Sequence, residues 1–550
     1  MSWGPKFFPK GLWFLMLLGV FAWWVRYHPP GVDLLVFDDD ARQHVYWTAR
    51  FQDPELFQQD LLTDFISSPM MDPPGYQLIY RLGTTLLEPL ALSQLMSLVL
   101  LLLSLWFLEL LSRPLIPEQS GRFFLQLLFL FFSLYDSSGG FPRGFAFPLL
   151  LGFLALQQRG AMGWGGLVLV LEALVYPPIL LNTLAMAGVW GVGELRRRGW
   201  NKELARKGIF LAAGCGVAMI ILLWVYAPSG NELFGPQVGV QQARGMPEFQ
   251  EGGRSAFFQE NPLKFLFLGR SGIGLLHLVG FGIILAGMVG SCGLRVLRVP
   301  AMAVHLCWTS MALFVLAHML LFRLHLPSRY TLYTLPLAFM LVIGASTGPF
   351  LAATQGAWAP LAGFLGRNRR GWGLLAGVLV AYAWAQGHLI VQVDTQMAVV
   401  DRTEREMLEF LKGLPKSALV AAHPVVANNV PLVARRKVLA NEELSLPYQM
   451  GYYTQVRQRL LDLFEAYYAR NWGEIEEFAR KHDIAALVAD KTHFSQTFLQ
   501  GRIYFEPFGS LVRKRLEHKG GFALMAPPRE RVCFENHRYL VICWDRGENR

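Results

Sequence analysis

Three consecutive aspartates, Asp38, Asp39 and Asp40, carry the most conspicuous chemistry of this sequence, because they come soon after its first apolar segment. Charged side chains are costly beside a bilayer and tend to mark functional positions there. An ionised carboxylate at a lipid boundary can accept a proton or hold a divalent metal ion. A solvated helix cap is the alternative, but Tyr46 and Trp47 follow and are typical of an interfacial helix. We therefore favour a functional role for the triplet.

A helix that begins at the aspartates is expected, since neither Gly nor Pro occurs before Asp53-Pro54 ends it. Asp40 and His44 are four residues apart and would share one face of this helix. The helix dipole favours ionised carboxylates at its N-terminus, although three neighbouring charges repel one another. His44 is therefore a candidate binding residue beside the aspartates.

The composition indicates a polytopic membrane protein. Of the 550 residues, 53% are hydrophobic and only 16% are charged, and the mean hydropathy is +0.33. An ordinary soluble enzyme needs a more charged surface, so that class is excluded. The first run, from Gly11 to Val25, lacks the small residues of a cleavage site and is expected to stay as an anchor. Apolar runs of spanning or near-spanning length lie at about 12–27, 86–112, 122–135, 145–158, 162–176, 179–194, 208–226, 272–293, 301–322, 331–353 and 371–392.

These runs predict about eleven transmembrane helices within residues 1–392, followed by an α/β domain at 393–550. Every second connection is basic, which places the N-terminus in the cytoplasm by the positive-inside rule. The net charge of +10 is therefore a topology signal, and dispersed cations of this kind argue against nucleic-acid binding. We therefore expect the first loop (28–85), the long loop (227–270) and the C-terminal domain to lie outside the cytoplasm. We call the two loops the first outer loop and the long outer loop.

Two arginines occur on this outer side, where cations are not expected from topology. Arg143 lies in a turn-rich connection, and Arg329 lies at a helix end beside Tyr330, with His325 nearby as a secondary candidate. Each arginine can simply extend to the interface or pair with an acid. Their position on the same face as the aspartates favours phosphate binding, because a guanidinium can bind phosphate oxygens bidentately.

Glu172 is a further charged residue, which lies inside an apolar helix about one turn below its outer end. Carboxylates within a membrane are usually functional or paired. Two roles are open for it: it can neutralise Arg143, or it can border a sugar pocket.

The long outer loop is rich in glycine and carries four charged residues, and it either contacts a polar ligand or serves as a linker. These residues are Arg244, Glu248, Glu251 and Arg254. In the C-terminal region we predict helices at 403–414, 456–470 and 474–482, strands at 418–422, 437–440 and 484–488, and a hairpin at 531–534 and 539–544. A four-residue turn in that hairpin pairs Cys533 with Leu540, so a Cys533–Cys543 disulfide requires another register.

The layout and the aspartate motif resemble the C-type (GT-C) integral membrane glycosyltransferases. Asp39-Asp40-Ala41-Arg42 is similar to the Asp-Glu-Ala-Arg stretch of aminoarabinose transferases, and a related Asp-Glu pair occurs in protein O-mannosyltransferases. Asp40 replaces the usual Glu, and Gln43 the Tyr that follows the stretch. The Trp-Trp-Asp motif of oligosaccharyltransferase catalytic subunits is absent from the sequence, which argues against transfer to Asn sequons.

The resemblance implies a polyprenyl-phosphate-linked sugar donor, an extracytoplasmic protein, glycan or lipid acceptor, and an inverting displacement. It implies that Asp39 is the base and that Asp40 supports it, with Mg or Mn as the possible divalent cation at both; Asp38 is expected only to cap the helix. A bacterial inner membrane is the expected location. The alternatives are a transporter or flippase and a non-catalytic envelope-assembly protein. A transporter predicts polar residues near the bilayer midplane, whereas this sequence concentrates them at one boundary.

Overall fold

The computed structural model describes residues 10–29, 33–136, 139–225, 234–324, 326–354, 397–516 and 521–544. Its first part is a helical bundle and its last part contains a β-sheet. The bundle helices are α1 (Lys10–Tyr27), α5 (Pro89–Leu115), α6 (Gln119–Asp136), α7 (Ala146–Gln158), α8 (Gly165–Val175), α9 (Pro177–Arg198), α10 (Lys202–Val225), α13 (Leu275–Cys292), α14 (Ala301–Met319) and α15 (Thr334–Ala353). Ten of the predicted apolar runs coincide with these helices, and the run at 371–392 lies outside the described residues.

Five described segments are long and apolar enough to cross a membrane. They are Pro89–Leu115, Pro177–Arg198, Lys202–Val225, Ala301–Met319 and Pro327–Ala353. Proline at the first position of α5 and α9 suits a helix start, since its missing N–H has no partner there. An integral membrane protein is therefore supported, while the predicted number of eleven spans is not confirmed.

The first outer loop differs from the single helix predicted for it. Residues Leu35–Asp38 form strand β1, α2 covers only Ala41–His44, and a 3-10 helix follows at Tyr46–Phe51. Asp40 is the N-cap residue of α2, but its side chain makes no capping hydrogen bond. The predicted cap, Asp38, lies instead at the end of β1 and pairs with Met397 of β2 (Met397–Val400). A strand pairing between distant segments has therefore overridden the local capping preference. Two further helices complete the loop, α3 (Leu61–Ile66) and α4 (Pro74–Gly83).

The long outer loop contains α11 (Val240–Arg244) and α12 (Pro262–Phe267). It lies against the C-terminal region, where the Val238 N–H donates to the Tyr448 carbonyl at 2.8 Å. Gly235 adopts φ 75°, and a Cβ there would lie only 2.4 Å from the Gly451 nitrogen. The two segments therefore approach each other as closely as glycine allows. The described part of the long outer loop is therefore packed against the C-terminal region, whereas one of the two predictions from the sequence was that it serves only as a linker.

The C-terminal region has the elements predicted from its sequence. The strands of its sheet are β3 (Leu419–Ala422), β4 (Lys437–Val438), β5 (Ala486–Asp490), β6 (Val532–Glu535) and β7 (Tyr539–Cys543). They are arranged in the order β4-β3-β5-β7-β6, in which β3 is parallel to β4 and β5 and the other pairs are antiparallel. The helices are α16 (Arg402–Lys412), α17 (Pro424–Ala427), α18 (Met450–Tyr467), α19 (Trp472–His482), α20 (Gln496–Gln500) and α21 (Phe508–Leu516).

Cys533 and Cys543 form a disulfide between β6 and β7. The sequence-based register paired Cys533 with Leu540, whereas in the structure Leu540 lies opposite Glu535, so the turn begins one residue later than predicted. In the structure Val532 lies opposite Ile542 and Phe534 opposite Val541, so the register shifts at Cys533. A bulge of this kind leaves one residue out of the ladder and re-aims its side chain.

The first outer loop and the C-terminal region share one hydrophobic core. Phe37, Trp47 and Tyr76 of the loop belong to the same buried cluster as Val420 and Tyr452 of the C-terminal region. A ring stack joins the two parts directly, since the Phe65 and Tyr452 centroids are 3.7 Å apart. Apolar burial therefore fixes the first outer loop, which carries the aspartates, against the C-terminal region.

Candidate functional site

Asp38 anchors the aspartate triplet. It is 2% exposed, accepts a hydrogen bond from the Tyr27 hydroxyl, and forms an ion pair with Arg26 at 3.2 Å. Both partners lie in the last turn of α1, so the end of the first helix holds the chain where the outer loop begins. A buried carboxylate with two such partners is committed to structure. Asp39 and Asp40 follow it and remain available for chemistry.

Asp39 and Asp40 meet a third carboxylate, Glu443, from the C-terminal region. One oxygen from each of the three residues lies within 4.8 Å of the others. Glu443 is contributed by the segment between β4 and α18, whose course is fixed by the Asn428 side chain, which accepts from the Glu443 N–H at 3.1 Å. We call Asp39, Asp40 and Glu443 the carboxylate cluster.

Three arginines from separate segments bind this cluster. Arg42 pairs with Asp39 and lies 3.4 Å from Glu443. Arg143 pairs with Asp40 at 2.9 Å, and its guanidinium carbon lies 5.1 Å from the centre of the Phe141 ring. Arg254, from the long outer loop, lies 3.4 Å from a Glu443 oxygen and donates to the Glu442 carbonyl at 2.8 Å. The negative charges are therefore matched by positive ones that come from the first loop, the bundle and the long loop.

Arg329 acts on the same site electrostatically. Burial raises the pKa of the Asp40 carboxyl, but Arg143, His44 and Arg329 outweigh it and hold that pKa below its ordinary value. Burial likewise raises the pKa of Glu443 and prevails over the opposing effect of Arg254 and Arg42. Asp40 is thus more firmly ionised than Glu443, and it faces a concentrated positive charge.

His44 is held by a residue that the sequence did not single out. Its Nδ1 lies 2.6 Å from Asp72, which is fully buried and accepts from the Trp47 indole at 2.6 Å. Burial lowers the pKa of His44, but Asp72 and Asp40 raise it by more. The ring centres of His44 and Phe141 are 6.0 Å apart, so His44 and Arg143 both lie near the same phenylalanine.

The remaining predicted residues lie elsewhere or outside the description. Glu172 is fully buried in α8 and accepts from the Thr183 hydroxyl at 2.7 Å. The ion pair recorded for Arg143 is with Asp40, so the proposed pairing of Glu172 with Arg143 does not appear among the described contacts. His325 lies outside the described residues.

Two site residues escaped prediction, namely Glu443 and Asp72, and Arg42 entered the prediction only as part of a motif. The adjacent acids Glu442 and Glu443 follow the predicted strand at 437–440, and Asp72 directly precedes Pro73-Pro74. Acidic residues just beyond a strand or before prolines are common in turns, so neither pattern distinguishes them. Only the residues around them in the folded protein distinguish Glu443 and Asp72 from other acidic residues in turns.

The carboxylate cluster fits a divalent cation by its donor set. Mg²⁺ and Mn²⁺ prefer oxygen ligands, and Mg²⁺ is usually bound by one or two carboxylates together with substrate phosphates. Asp39, Asp40 and Glu443 offer such oxygens close together. Each of them already contacts an arginine, so a cation would share these carboxylates with Arg42, Arg143 and Arg254.

No family model and no curated protein matches this chain. Among solved structures the chain is similar to an archaeal oligosaccharyltransferase and to a mycobacterial arabinofuranosyltransferase. One is the archaeal oligosaccharyltransferase AglB from Archaeoglobus fulgidus in complex with an inhibitory peptide and a dolichol-phosphate, at a TM-score of 0.47 and 13% identity, covering 93% of this chain and 72% of that one. Another is the mycobacterial arabinofuranosyltransferase AftD, at 0.49 and 15%, covering 87% of this chain and 36% of that one.

A further structure of the Archaeoglobus fulgidus oligosaccharyltransferase, in complex with Zn and sulfate, has a TM-score of 0.40 and 11% identity and covers 91% of this chain and 70% of that one.

Proposed function

We propose that this protein is a membrane glycosyltransferase that moves a sugar from a polyprenyl-phosphate donor to an acceptor outside the cytoplasm. The convergence of Asp39, Asp40 and Glu443 with Arg42, Arg143 and Arg254 carries the proposal. The basic connections of the bundle support an outer location for this site, and a bacterial inner membrane with a cytoplasmic N-terminus is the setting we propose.

In the proposed reaction the carboxylates and the arginines have different tasks. Asp39 accepts the proton of the acceptor hydroxyl, whose oxygen forms a bond to the anomeric carbon as the bond from that carbon to the phosphate oxygen breaks. The bonding electrons leave with the phosphate, and attack from the opposite face inverts the anomeric centre. Arg143 and Arg329 bind the leaving phosphate, whose developing charge they stabilise. Asp40 holds Arg143 in place through their ion pair.

A divalent cation, Mg or Mn, would be held by Asp39, Asp40 and Glu443. When bound, such an ion supplies positive charge to the phosphate oxygens. Whether or not the ion is present, Arg42 positions Asp39 and Glu443, and Arg254 positions Glu443. Asn429 extends this support, since it accepts from Arg42 at 3.5 Å and donates to Glu404 at 2.8 Å.

Asp39→Asn in the purified full chain, reconstituted into lipid nanodiscs with a polyprenyl-phosphate sugar, tests the assignment. We expect transfer to fall by roughly 10²- to 10⁴-fold, the usual contribution of a general base. The matched control is Asp53→Asn, in the same outer loop, which removes a surface carboxylate paired with Lys416. Retained transfer in the Asp39 variant, with the control also active, refutes Asp39 as the base.

A further inference from the structure

A hollow lies away from the carboxylate cluster, between the long outer loop and the end of α14. Its volume is about 510 Å³, within the range of about 300–1,000 Å³ that is usual for small-molecule sites. Phe257, Phe258 and Phe265 form apolar walls, and Arg244, Gln250 and His318 add polar groups. None of the carboxylate cluster residues lines it.

His318 presents an unsatisfied hydrogen-bonding atom among the residues that line this hollow. Its Nδ1 lies 3.0 Å from the Phe314 carbonyl, and since a carbonyl only accepts, Nδ1 carries the hydrogen. In the neutral ring Nε2 is then an acceptor. It is buried and has no hydrogen-bond partner within the described part of the chain. A buried polar atom without a partner costs roughly 1–3 kcal/mol, so a ligand hydroxyl that donates to Nε2 would be favoured.

The other groups of the hollow match the two sides of a sugar. The Arg244 guanidinium lies 5.7 Å from the centre of the Phe258 ring and supplies donors. The Gln250 amide nitrogen donates to the Arg244 carbonyl at 2.9 Å, which leaves its oxygen to accept. Aromatic faces pack on apolar C–H surfaces, while donors and acceptors serve hydroxyls. This combination fits a ligand with many hydroxyls and apolar faces.

The surroundings of the hollow suit a lipid. His318 lies in the last turn of α14, a helix long and apolar enough to cross a membrane. Met319 beside it is 76% exposed, and Leu263 and Leu266 on α12 are 65% and 47% exposed. Exposed apolar side chains around a polar pocket mark a membrane or binding surface. The ligand therefore has an apolar part next to its hydroxyl-bearing head.

We propose that this hollow binds the sugar headgroup of a glycolipid and, resting on the proposed transferase function, that this glycolipid is the acceptor. The long outer loop connects the two places, because Gln250 and Phe257 of the hollow flank Arg254, which pairs with Glu443 of the carboxylate cluster. The backbone also joins them, as the Phe257 N–H donates to the Phe249 carbonyl and the Ser255 N–H to the Glu248 carbonyl, each at 2.9 Å.

Direct binding to the full chain in phosphatidylcholine nanodiscs tests the inference without any transfer assay. The probes are glucosyl-, galactosyl- and mannosyl-diacylglycerol, with diacylglycerol and phosphatidylglycerol as sugar-free references, and native mass spectrometry measures retention. We expect at least one glycosyl lipid to bind about tenfold more tightly than either reference. Phe258→Ala and His318→Ala should each weaken it by roughly three- to tenfold, the scale of one hydrogen bond or ring contact.

Trp308→Ala is the matched control, because it removes an aromatic that is 74% exposed on the same helix α14. This variant should bind the glycolipid as the unaltered protein does, and His318→Gln, which keeps an acceptor atom, should retain more binding than His318→Ala. Equal binding of phosphatidylglycerol or diacylglycerol overturns the inference, as does glycolipid binding that neither pocket variant weakens.

Asp39→Asn separates the two proposals. This variant should lose transfer and keep glycolipid binding. Glycolipid binding without any transfer by the unaltered protein refutes the transferase function alone. Transfer that persists while all glycosyl lipids fail to bind refutes the acceptor inference alone.

Discussion

Two groups of paired carboxylates and arginines lie in different parts of the described structure, and they are built differently. At the far end of α5, Glu109 is 1% exposed and pairs with Arg113 at 2.8 Å and with Arg122 at 3.8 Å. Its two arginine partners lie within 13 residues of it, on the same helix or the next. One carboxylate there meets two cations, and Gln126 also donates to it.

The carboxylate cluster is assembled from distant segments. Asp39, Arg143, Arg254 and Glu443 come from four parts of the chain, and three carboxylates lie close together despite their repulsion. Local pairing neutralises a charge and needs no further explanation. Like charges gathered from remote segments cost free energy unless a ligand, metal or cation uses them, which is typical of a functional site. We therefore expect the group around Glu109 to support stability and the carboxylate cluster to support chemistry.

The largest contrast is expected between Arg143→Gln and Arg113→Gln. Transfer should fall by roughly 10²- to 10³-fold in the Arg143 variant, because a donor group aimed at developing charge is lost. The Arg113 variant should transfer at nearly the unaltered rate. Initial rates at saturating donor measure both, and equal loss in the two variants would break the distinction.

Glu443→Gln should have a smaller effect, of about 10- to 100-fold on transfer, since Arg42 and Arg254 lose a charge-assisted partner worth ~1.5–3 kcal/mol. If a divalent cation binds the cluster, this variant should also need more Mg²⁺ for half-maximal activity after treatment with a chelator. Titration of Mg²⁺ and Mn²⁺ back into the chelated protein measures this. An unchanged requirement, with activity lost, would leave Glu443 as an organiser of arginines only.

Asp72→Asn should lower the melting temperature of the protein by an amount that depends on pH. The pKa of His44 is raised in the folded protein, so its contribution is fully present below the ordinary value of about 6.5 and is lost as pH rises through the folded pKa. The loss of melting temperature caused by Asp72→Asn should therefore be larger at pH 6 than at pH 9. Melting curves in detergent at the two pH values test this, and an equal loss at both contradicts a charged His44.

Glu109→Gln should change transfer least of all. Its effect should appear in stability, because the substitution leaves Arg113 and Arg122 without the carboxylate that they share. A lower melting temperature with an unaltered transfer rate is the expected result. Loss of transfer in a variant that melts like the unaltered protein would show that the two groups are not separate in function.

The sequence pointed to those parts of the candidate site that depend on chain-local signals. Long hydrophobic runs located the bundle helices, short apolar runs located the strands of the C-terminal sheet, and the aspartate motif pointed to Asp39 and Asp40. Arg143 was identified because a cation on the predicted outer side is unusual. The bulge at Cys533 was not foreseen, since the pairing register of the hairpin depends on contacts between the two strands and not on the sequence of either strand alone.

By itself, the sequence determined that the chain is rich in membrane-type helices, that a charged triplet follows the first of them, and that a mixed α/β region ends the chain. These features depend on composition and on periods of a few residues. Tertiary structure alone decided that Asp38 is buried against Arg26, and that Glu443, some 400 residues from the aspartates, joins them. The reason is physical: strand β1 pairs with β2, and apolar burial closes the first loop onto the C-terminal region, so contacts between distant segments set which charges meet.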